Sequence, residues 1–300
     1  MSQAETDRVA AIDVGSNSVR LLVAGRSGGQ LFPIYTGRVV TRLLEGLTDG
    51  VLAEAAMTRT LSAIGRLANE ARALGAGKIA GFGTSAMRDG FKNSRTLIDG
   101  AARMGVALAV LSGEEEARLA YAGAAPAGSA GVIDIGGGST EFMTGENGRV
   151  LAAASAQMGA VRLKAIAGGE RDPKKLLGIA RAVLTDAAQT ALKFPPADGW
   201  VAVGGTFTAL AAMEQKLDRY DAASVQDFRL TAAAAAAWLT RLTGMTQEAR
   251  LGIPGLIPER ADIIPFGAAI VAACFTLINR PFVTVSDRDN LLGFLRGLPG

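Results

Sequence analysis

Two short segments of the chain carry the same residue types in the same order, Asp13-Val-Gly-Ser-Asn-Ser18 and Asp134-Ile-Gly-Gly-Gly-Ser139. A constant shift of 121 residues lays Ile12, Asp13, Gly15 and Ser18 on Ile133, Asp134, Gly136 and Ser139. Each segment opens on a carboxylate, passes through glycine and closes on a hydroxyl. Glycine admits positive φ and the close approach of an anion. Successive N–H groups and short hydroxyls can then cradle phosphate oxygens. The candidate phosphate groups are Ser16, Asn17 and Ser18 in the first loop, and Gly136, Gly137, Gly138 and Ser139 in the second. A strand-end carboxylate suits a hard cation, because Mg²⁺ takes oxygen ligands and keeps several waters. Asp13 and Asp134 hold that position. The second loop adds Glu141, which a tight hairpin would bring beside Asp134, so this pair is the main candidate for the metal. The plainer alternative is a simple tight turn with Glu141 in solvent, and the duplicated partner loop counts against it.

Three further features could do chemistry. Val-Gly-Gly-Thr at 203–206 reads as strand, turn and helix, and a helix N-terminus with Gly205 and a capping Thr206 is an anion site. In Leu111-Ser-Gly-Glu-Glu-Glu116, Ser112 and Glu115 fit a capping box, and Glu114 can pair with Arg118 four residues on. Glu116 has no such local duty, which makes it the candidate general base; a solvated first-turn acid is the alternative. Arg88 follows a strand and could fork onto phosphate oxygens, although local sequence alone favours an ordinary surface arginine. The chain has no histidine, which excludes Ser-His-Asp and Cys-His catalysis and His-ligated zinc. Any base near neutral pH must therefore be a carboxylate, a lysine or a metal-activated water.

The elements that must position these groups are legible from periodicity. Strands at 9–14, 19–24 and 30–35 around Gly28-Gly29 predict an antiparallel meander. A helix over 51–75, a strand at 78–82, a helix over 94–104, a strand at 106–111 and a helix over 113–122 follow. The small-residue stretch 122–131, with Pro126, is the expected boundary or hinge. The strand–loop–strand–turn–strand pattern then repeats. It is followed by helices over 173–193, 231–243 and 266–278, a strand at 200–203, the Phe-Val-Thr-Val-Ser strand and a final helix. Two domains of related α/β topology, 1–124 and 125–300, facing across a cleft, are the expectation.

The bulk numbers fit a globular chain: 300 residues, 49% hydrophobic and 20% charged. A net charge of +3 from 31 basic and 28 acidic residues gives no footprint for nucleic acid. No apolar run reaches the ~20 residues needed to span a bilayer, and the first residues lack the order of a signal peptide. The one cysteine, Cys274, lies in an apolar run and reads as a core thiol. A cytoplasmic location is expected, and a homodimer is left open.

Together, AAIDVGSNSVRLLVA, GTSAMRDGFKN, LSGEEEARLAYAG, GVIDIGGGSTEF, SAQMGAVRL, VAVGGTFTALAAM and LIPERADIIPFGAAIV resemble the exopolyphosphatase/guanosine pentaphosphate phosphohydrolase family over about residues 9–290. That resemblance implies an actin-like (ribonuclease H-like) duplication and phosphate release from polyphosphate or guanosine pentaphosphate with Mg²⁺. It implies that Glu116 activates water, that Arg88 contacts phosphate, and that Asp134 and Glu141 serve the metal. It makes Gly136–Ser139 one phosphate loop, Ser16–Ser18 the opposing one, and Gly205 with Thr206 the third. The sequence departs from the family's common pattern at Leu44 and at Leu291-Leu292. It resembles the short, two-domain members without an extra C-terminal helical region. A small-molecule kinase of the same superfamily and a non-catalytic polyphosphate or alarmone binder are the alternatives.

Overall fold

The computed structural model describes residues 7–28, 30–124 and 126–298; Gly29 of the expected first turn and Ala125 of the expected boundary lie outside them. Along the chain run β1 (Asp7–Val14), β2 (Ser18–Ser27), β3 (Gln30–Val40), α1 (Glu54–Ala73), β4 (Lys78–Gly83), α2 (Ser85–Asp89), α3 (Arg95–Arg103), β5 (Ala107–Val110) and α4 (Gly113–Ala124). Then come β6 (Ser129–Ile135), β7 (Thr140–Glu146), β8 (Arg149–Ala156), α5 (Ala160–Ala167), α6 (Pro173–Ala191), β9 (Gly199–Val203) and α7 (Gly205–Glu214). The chain closes with α8 (Ala222–Val225), β10 (Arg229–Thr231), α9 (Ala232–Gly244), α10 (Gln247–Arg250), α11 (Ile264–Ile278), β11 (Phe282–Val285) and α12 (Asn290–Gly297).

Two compact units emerge. One runs through Glu115 and takes the chain back at Leu291; the other spans Glu116–Asn290. The first unit's sheet has the order β3-β2-β1-β4-β5, with β1 antiparallel to β2 and parallel to β4. The second unit's sheet has the order β10-β11-β9-β6-β7-β8, with β6 antiparallel to β7 and parallel to β9. Counting strands from each meander, both sheets read 3-2-1-4-5, and β10 is an added edge in the second. This is the duplicated actin-like topology, and the fold is α/β with two mixed sheets.

Simple physics fixes these elements. β1 is a central strand, so Val9–Val14 are buried without alternation, whereas the edge strand β3 is largely exposed. On α1, Ala56, Thr60, Ala63, Ile64, Leu67 and Ala71 recur at helical spacing and form its buried stripe. On one face of the first sheet, Val9, Ala11, Leu22 and Phe82 pack with Leu291, Leu292 and Leu295 of α12. Those leucines cover an otherwise bare sheet face, which is why the last helix joins the first unit. In the second unit the core is larger, with α6, α7, α9 and the apolar α11 around one sheet face. Cys274 is buried there. Among the described residues no helix is long and apolar enough to cross a membrane.

Two site-bearing elements, α2 and α5, were not legible from periodicity, nor was the short edge β10. The first two are only five and eight residues long, below the length at which a 3.6-residue period declares itself.

Candidate active site

The two matching loops are the turns of two matching hairpins. In the first, Gly15 N–H donates to the Ser18 carbonyl at 3.1 Å; in the second, Gly136 N–H donates to the Ser139 carbonyl at 3.0 Å. A Cβ on Gly15 would sit 3.1 Å from the Ser18 oxygen, and one on Gly136 would sit 3.3 Å from the Ser139 oxygen. Glycine is used in both for close approach. Positive φ, expected for these loops, is found instead at Gly204, at 93°.

The loop carbonyls are drawn backward. The N–H groups of Thr41 and Arg42 hold the Asn17 carbonyl, and Leu44 N–H holds that of Ser16. In the second loop Ala160 N–H holds the Gly136 carbonyl, while Val161 and Arg162 hold that of Gly137. Arg162 Nε adds a bond to the Gly138 carbonyl at 2.8 Å. With their carbonyls committed, the peptides of Gly137 and Gly138 keep N–H groups that no carbonyl among the described residues accepts. Such amides form a small anion-binding concavity. In the first loop, the buried Ser16 hydroxyl has no hydrogen-bond partner among the described residues.

The strand registers set the charges. Asp13 faces Arg20 across the first hairpin, and Arg20 donates to Asp13 Oδ2 from Nε at 2.9 Å and from Nη2 at 2.6 Å. Asp134 faces Glu141 across the second, at the equivalent register. Glu141 is fully buried. Its Oε1 accepts from Ser155 Oγ at 2.7 Å, and its Oε2 has no hydrogen-bond partner among the described residues. Burial pushes its pKa well above the ordinary glutamate range, the charges of Glu116 and Asp134 add to the rise, and the Ser155 and Ser139 hydroxyls pull the other way.

Glu116 reaches this group because of its place on α4. It shares the buried face with Ala117, Ala120, Tyr121 and Gly123, and Ala117, Ala120 and Tyr121 pack on Val132, Met143 and Val203 of the second sheet. One helical turn before Ala120, the same face presents Glu116, which is 5% exposed. It is no solvated first-turn acid. The predicted capping box is present: Glu115 N–H donates to Ser112 Oγ at 3.2 Å, and Ser112 N–H donates to Glu115 Oε2 at 2.8 Å.

The third loop needs a correction. Gly204, not Thr206, occupies the N-cap position of α7, and no side chain caps that end. A Cβ on Gly204 would lie 2.6 Å from Asp134 Oδ1 and 2.7 Å from the Ile135 carbonyl oxygen, so only glycine passes there. Gly205 and Thr206 are the first two residues of the helix, and Thr206 is buried against Gly267. Arg88 sits on α2, half-buried, with Nη1 donating to the Leu111 carbonyl at 2.8 Å. It is not the surface arginine that local sequence favours.

Residues 22–289 match the model of the Ppx/GppA phosphatase family. The chain belongs to that family. It is 36% identical over 321 aligned positions to exopolyphosphatase 2 of Mycobacterium tuberculosis, covering 98% of this chain and 99% of that relative. A Ppx/GppA family member from Aquifex aeolicus is similar in structure, with a TM-score of 0.79 at 28% identity, covering 97% of this chain and 96% of the other. An exopolyphosphatase-like protein superposes with a TM-score of 0.87 at 25% identity, covering 97% and 98% of the two chains.

Membership in a phosphatase family sharpens which neighbours of the loops matter, and four were missed from sequence. Ser155 faces Glu141 from β8, at the register of the ladder. Gly159 lets α5 begin against the second loop, since a Cβ there would lie 2.4 Å from the Gly137 carbonyl carbon. Arg162 fixes the Gly138 peptide. The Arg260 guanidinium lies over Gly205, 1.7 Å from where a Cβ would be, at the start of α7. All four lie in segments that carry the family resemblance, but none shows a local pattern that reveals its partner.

The second hairpin also fits a divalent cation. Its donors are all oxygen, Glu141 Oε2 is buried without a hydrogen bond among the described residues, and the charges of Glu116 and Asp134 act on Glu141. Among the described residues no three acidic, histidine or cysteine side chains converge as a ready-made metal cage. That combination suits Mg²⁺, which binds through one or two carboxylates, retained waters and substrate phosphates.

Proposed function

We propose that this chain is an exopolyphosphatase that releases the terminal phosphate of inorganic polyphosphate, and that it also takes the 5′-phosphate end of guanosine pentaphosphate. The observation that carries this reading is the buried Glu116 beside the acid pair of a hairpin whose turn offers free amides. A buried carboxylate next to an anion cradle has a use when an attacking water must be oriented and deprotonated.

Each residue is assigned a role that its position and chemistry support. Gly137, Gly138 and Ser139 donate to oxygens of the terminal phosphoryl group, Gly136 shapes their loop by closing the turn with its own N–H, and the N-terminus of α7 at Gly205 and Thr206 adds its dipole. In the first unit, Ser16, Asn17 and Ser18 serve as phosphate donors, and Arg88 is a guanidinium clamp. Asp134 and Glu141 would hold Mg²⁺, which would supply neutralising charge to the phosphoryl oxygens. We assign Asp13, already bound by Arg20, to fixing that arginine, although its strand-end position alone suggests a metal role. Glu116 takes a proton from water as the water oxygen attacks phosphorus in line. The P–O bond to the chain breaks, giving orthophosphate and a chain shortened by one unit. Most of the acceleration comes from positioning and electrostatics.

Glu116→Ala tests the reading. Phosphate release should fall by ~10²-fold or more if this residue is the base, while polyphosphate still binds. Unchanged turnover would remove Glu116 from the mechanism, and tight binding without any release by the unaltered protein in Mg²⁺ would replace hydrolysis with a purely binding role.

A further inference from the structure

A cavity in the unit spanning Glu116–Asn290 is lined by charged groups other than the hairpin acids. Its volume is about 230 Å³, and its lining includes Lys164, Glu170, Arg171, Arg250, Asp262 and Phe266. The charges around it are unevenly satisfied. Lys164 Nζ meets Asp262 Oδ2 at 2.6 Å. Glu170 is engaged by Lys175 Nζ at 3.0 Å and accepts the N–H groups of Arg171 and Asp172, each at 2.9 Å. Glu248, which acts on both arginines through space, is held by its own N–H and by Thr246. Each of these three acids has a hydrogen-bond or ion-pair partner other than the two arginines, while Asp262 and Glu248 still act on Arg250 through space.

The two guanidinium groups are not neutralised in this way. Among the described residues, neither Arg171 nor Arg250 makes an ion pair. Arg250 is 6% exposed, and its guanidinium donates to the carbonyls of Leu242, Ala261 and Met245 at 2.9, 3.0 and 2.8 Å. Three of its five N–H donors are thereby used, which fixes the group without cancelling its charge. Burial, and then the charge of Arg171, lower its pKa, and the charges of Asp262 and Glu248 pull the other way. A buried cation and an exposed one, lining one small cavity with no acid bound to either, suit a compact oxyanion.

We propose that this cavity is an accessory anion site for a phosphate or diphosphate group, separate from the phosphate loop. Helix α5 connects the two. Lys164 lines the cavity, and Arg162, two residues earlier, holds the Gly138 carbonyl. The first N–H groups of the same helix hold the carbonyls of Gly136 and Gly137. An anion that draws Lys164 from Asp262 acts on the helix that sets the loop. Binding at the cavity stands by itself; its influence on hydrolysis rests on the function proposed above.

The test uses methylenediphosphonate, a diphosphate that cannot be hydrolysed, titrated calorimetrically into the full chain and into Arg171→Glu. Arg171 is exposed, and the melting curve of the variant checks that the fold is kept. The expected result is a binding event in the unaltered chain that is weakened about tenfold or more, or lost, in Arg171→Glu, while polyphosphate hydrolysis at saturating substrate persists. A single event lost in the variant supports the cavity and counts against the loop as a grip for this probe. Binding of equal affinity and stoichiometry in both proteins overturns the proposal, and so does the absence of any binding to the unaltered chain.

Discussion

In the first hairpin Asp13 stands opposite Arg20; in the second, Asp134 stands opposite Glu141 at the equivalent register. The turns are alike to about 0.1 Å in their closing bond, 3.1 Å against 3.0 Å. The backbone plan is therefore shared, and the electrostatics are not. One aspartate is held by two guanidinium bonds. The other shares its surroundings with two more carboxylates, one of them fully buried. Like charges in a desolvated place cost free energy unless a cation enters or a proton stays. A duplicated scaffold has thus been differentiated by one cross-strand side chain into a neutralised turn and a turn that gains from binding positive charge.

The largest effect expected from this difference is on catalysis. Glu141→Gln keeps the shape of the side chain and removes its charge, and should lower Mg²⁺-dependent phosphate release by ~10²-fold or more. Turnover within twofold of the unaltered protein at every Mg²⁺ concentration would show that the second hairpin is not the metal side. The mirror experiment is Arg20→Met. It leaves a buried Asp13 without its guanidinium and should cost about 3 kcal/mol of stability, read by urea unfolding. A change below about 0.5 kcal/mol would mean that the first hairpin does not depend on its ion pair.

A smaller effect is expected at Ser155. Ser155→Ala removes the hydroxyl that holds Glu141 Oε1, and Mg²⁺ activation should shift to ~10-fold higher concentration. If the activation curve does not move, Ser155 has only a packing role. The smallest effect is a pH slope. The folded-state pKa of Glu141 is raised, so between the ordinary glutamate value and that raised value the folded state binds more protons than the unfolded one. Without divalent cation, its contribution is present at low pH and is lost as pH rises through the raised pKa. Melting curves should show this decline in the unaltered protein, less of it with Mg²⁺, and none of it from this site in Glu141→Gln. An equal decline in both proteins would falsify the assignment to Glu141.

Much of this is legible in the sequence. Asp, Gly and Ser at a fixed shift of 121 residues, flanked by apolar runs, located both hairpins. Ser112 and Glu115 read as a cap and do form one, and the same first turn singles out Glu116 as the acid to which sequence assigns neither capping nor an i,i+4 pair. Thr206 misled because a threonine after two glycines looks like a cap, whereas the cap position belongs to the glycine that must pass Asp134. Ser155, Gly159, Arg162 and Arg260 were invisible for a different reason. Each meets a partner far along the chain, through a ladder register, a helix start or a guanidinium laid over a backbone.

The sequence by itself determined the α/β duplication, the two glycine-bearing turns and which residue types each could offer, because strand periodicity and turn chemistry act over a few residues. Tertiary structure alone decided that Glu116 is buried with Asp134 and Glu141, that the loop carbonyls turn back and leave amides forward, and that two arginines line a cavity without an acid bound to either. Burial and charge balance are sums over neighbours from many segments, and no local stretch of sequence contains those sums.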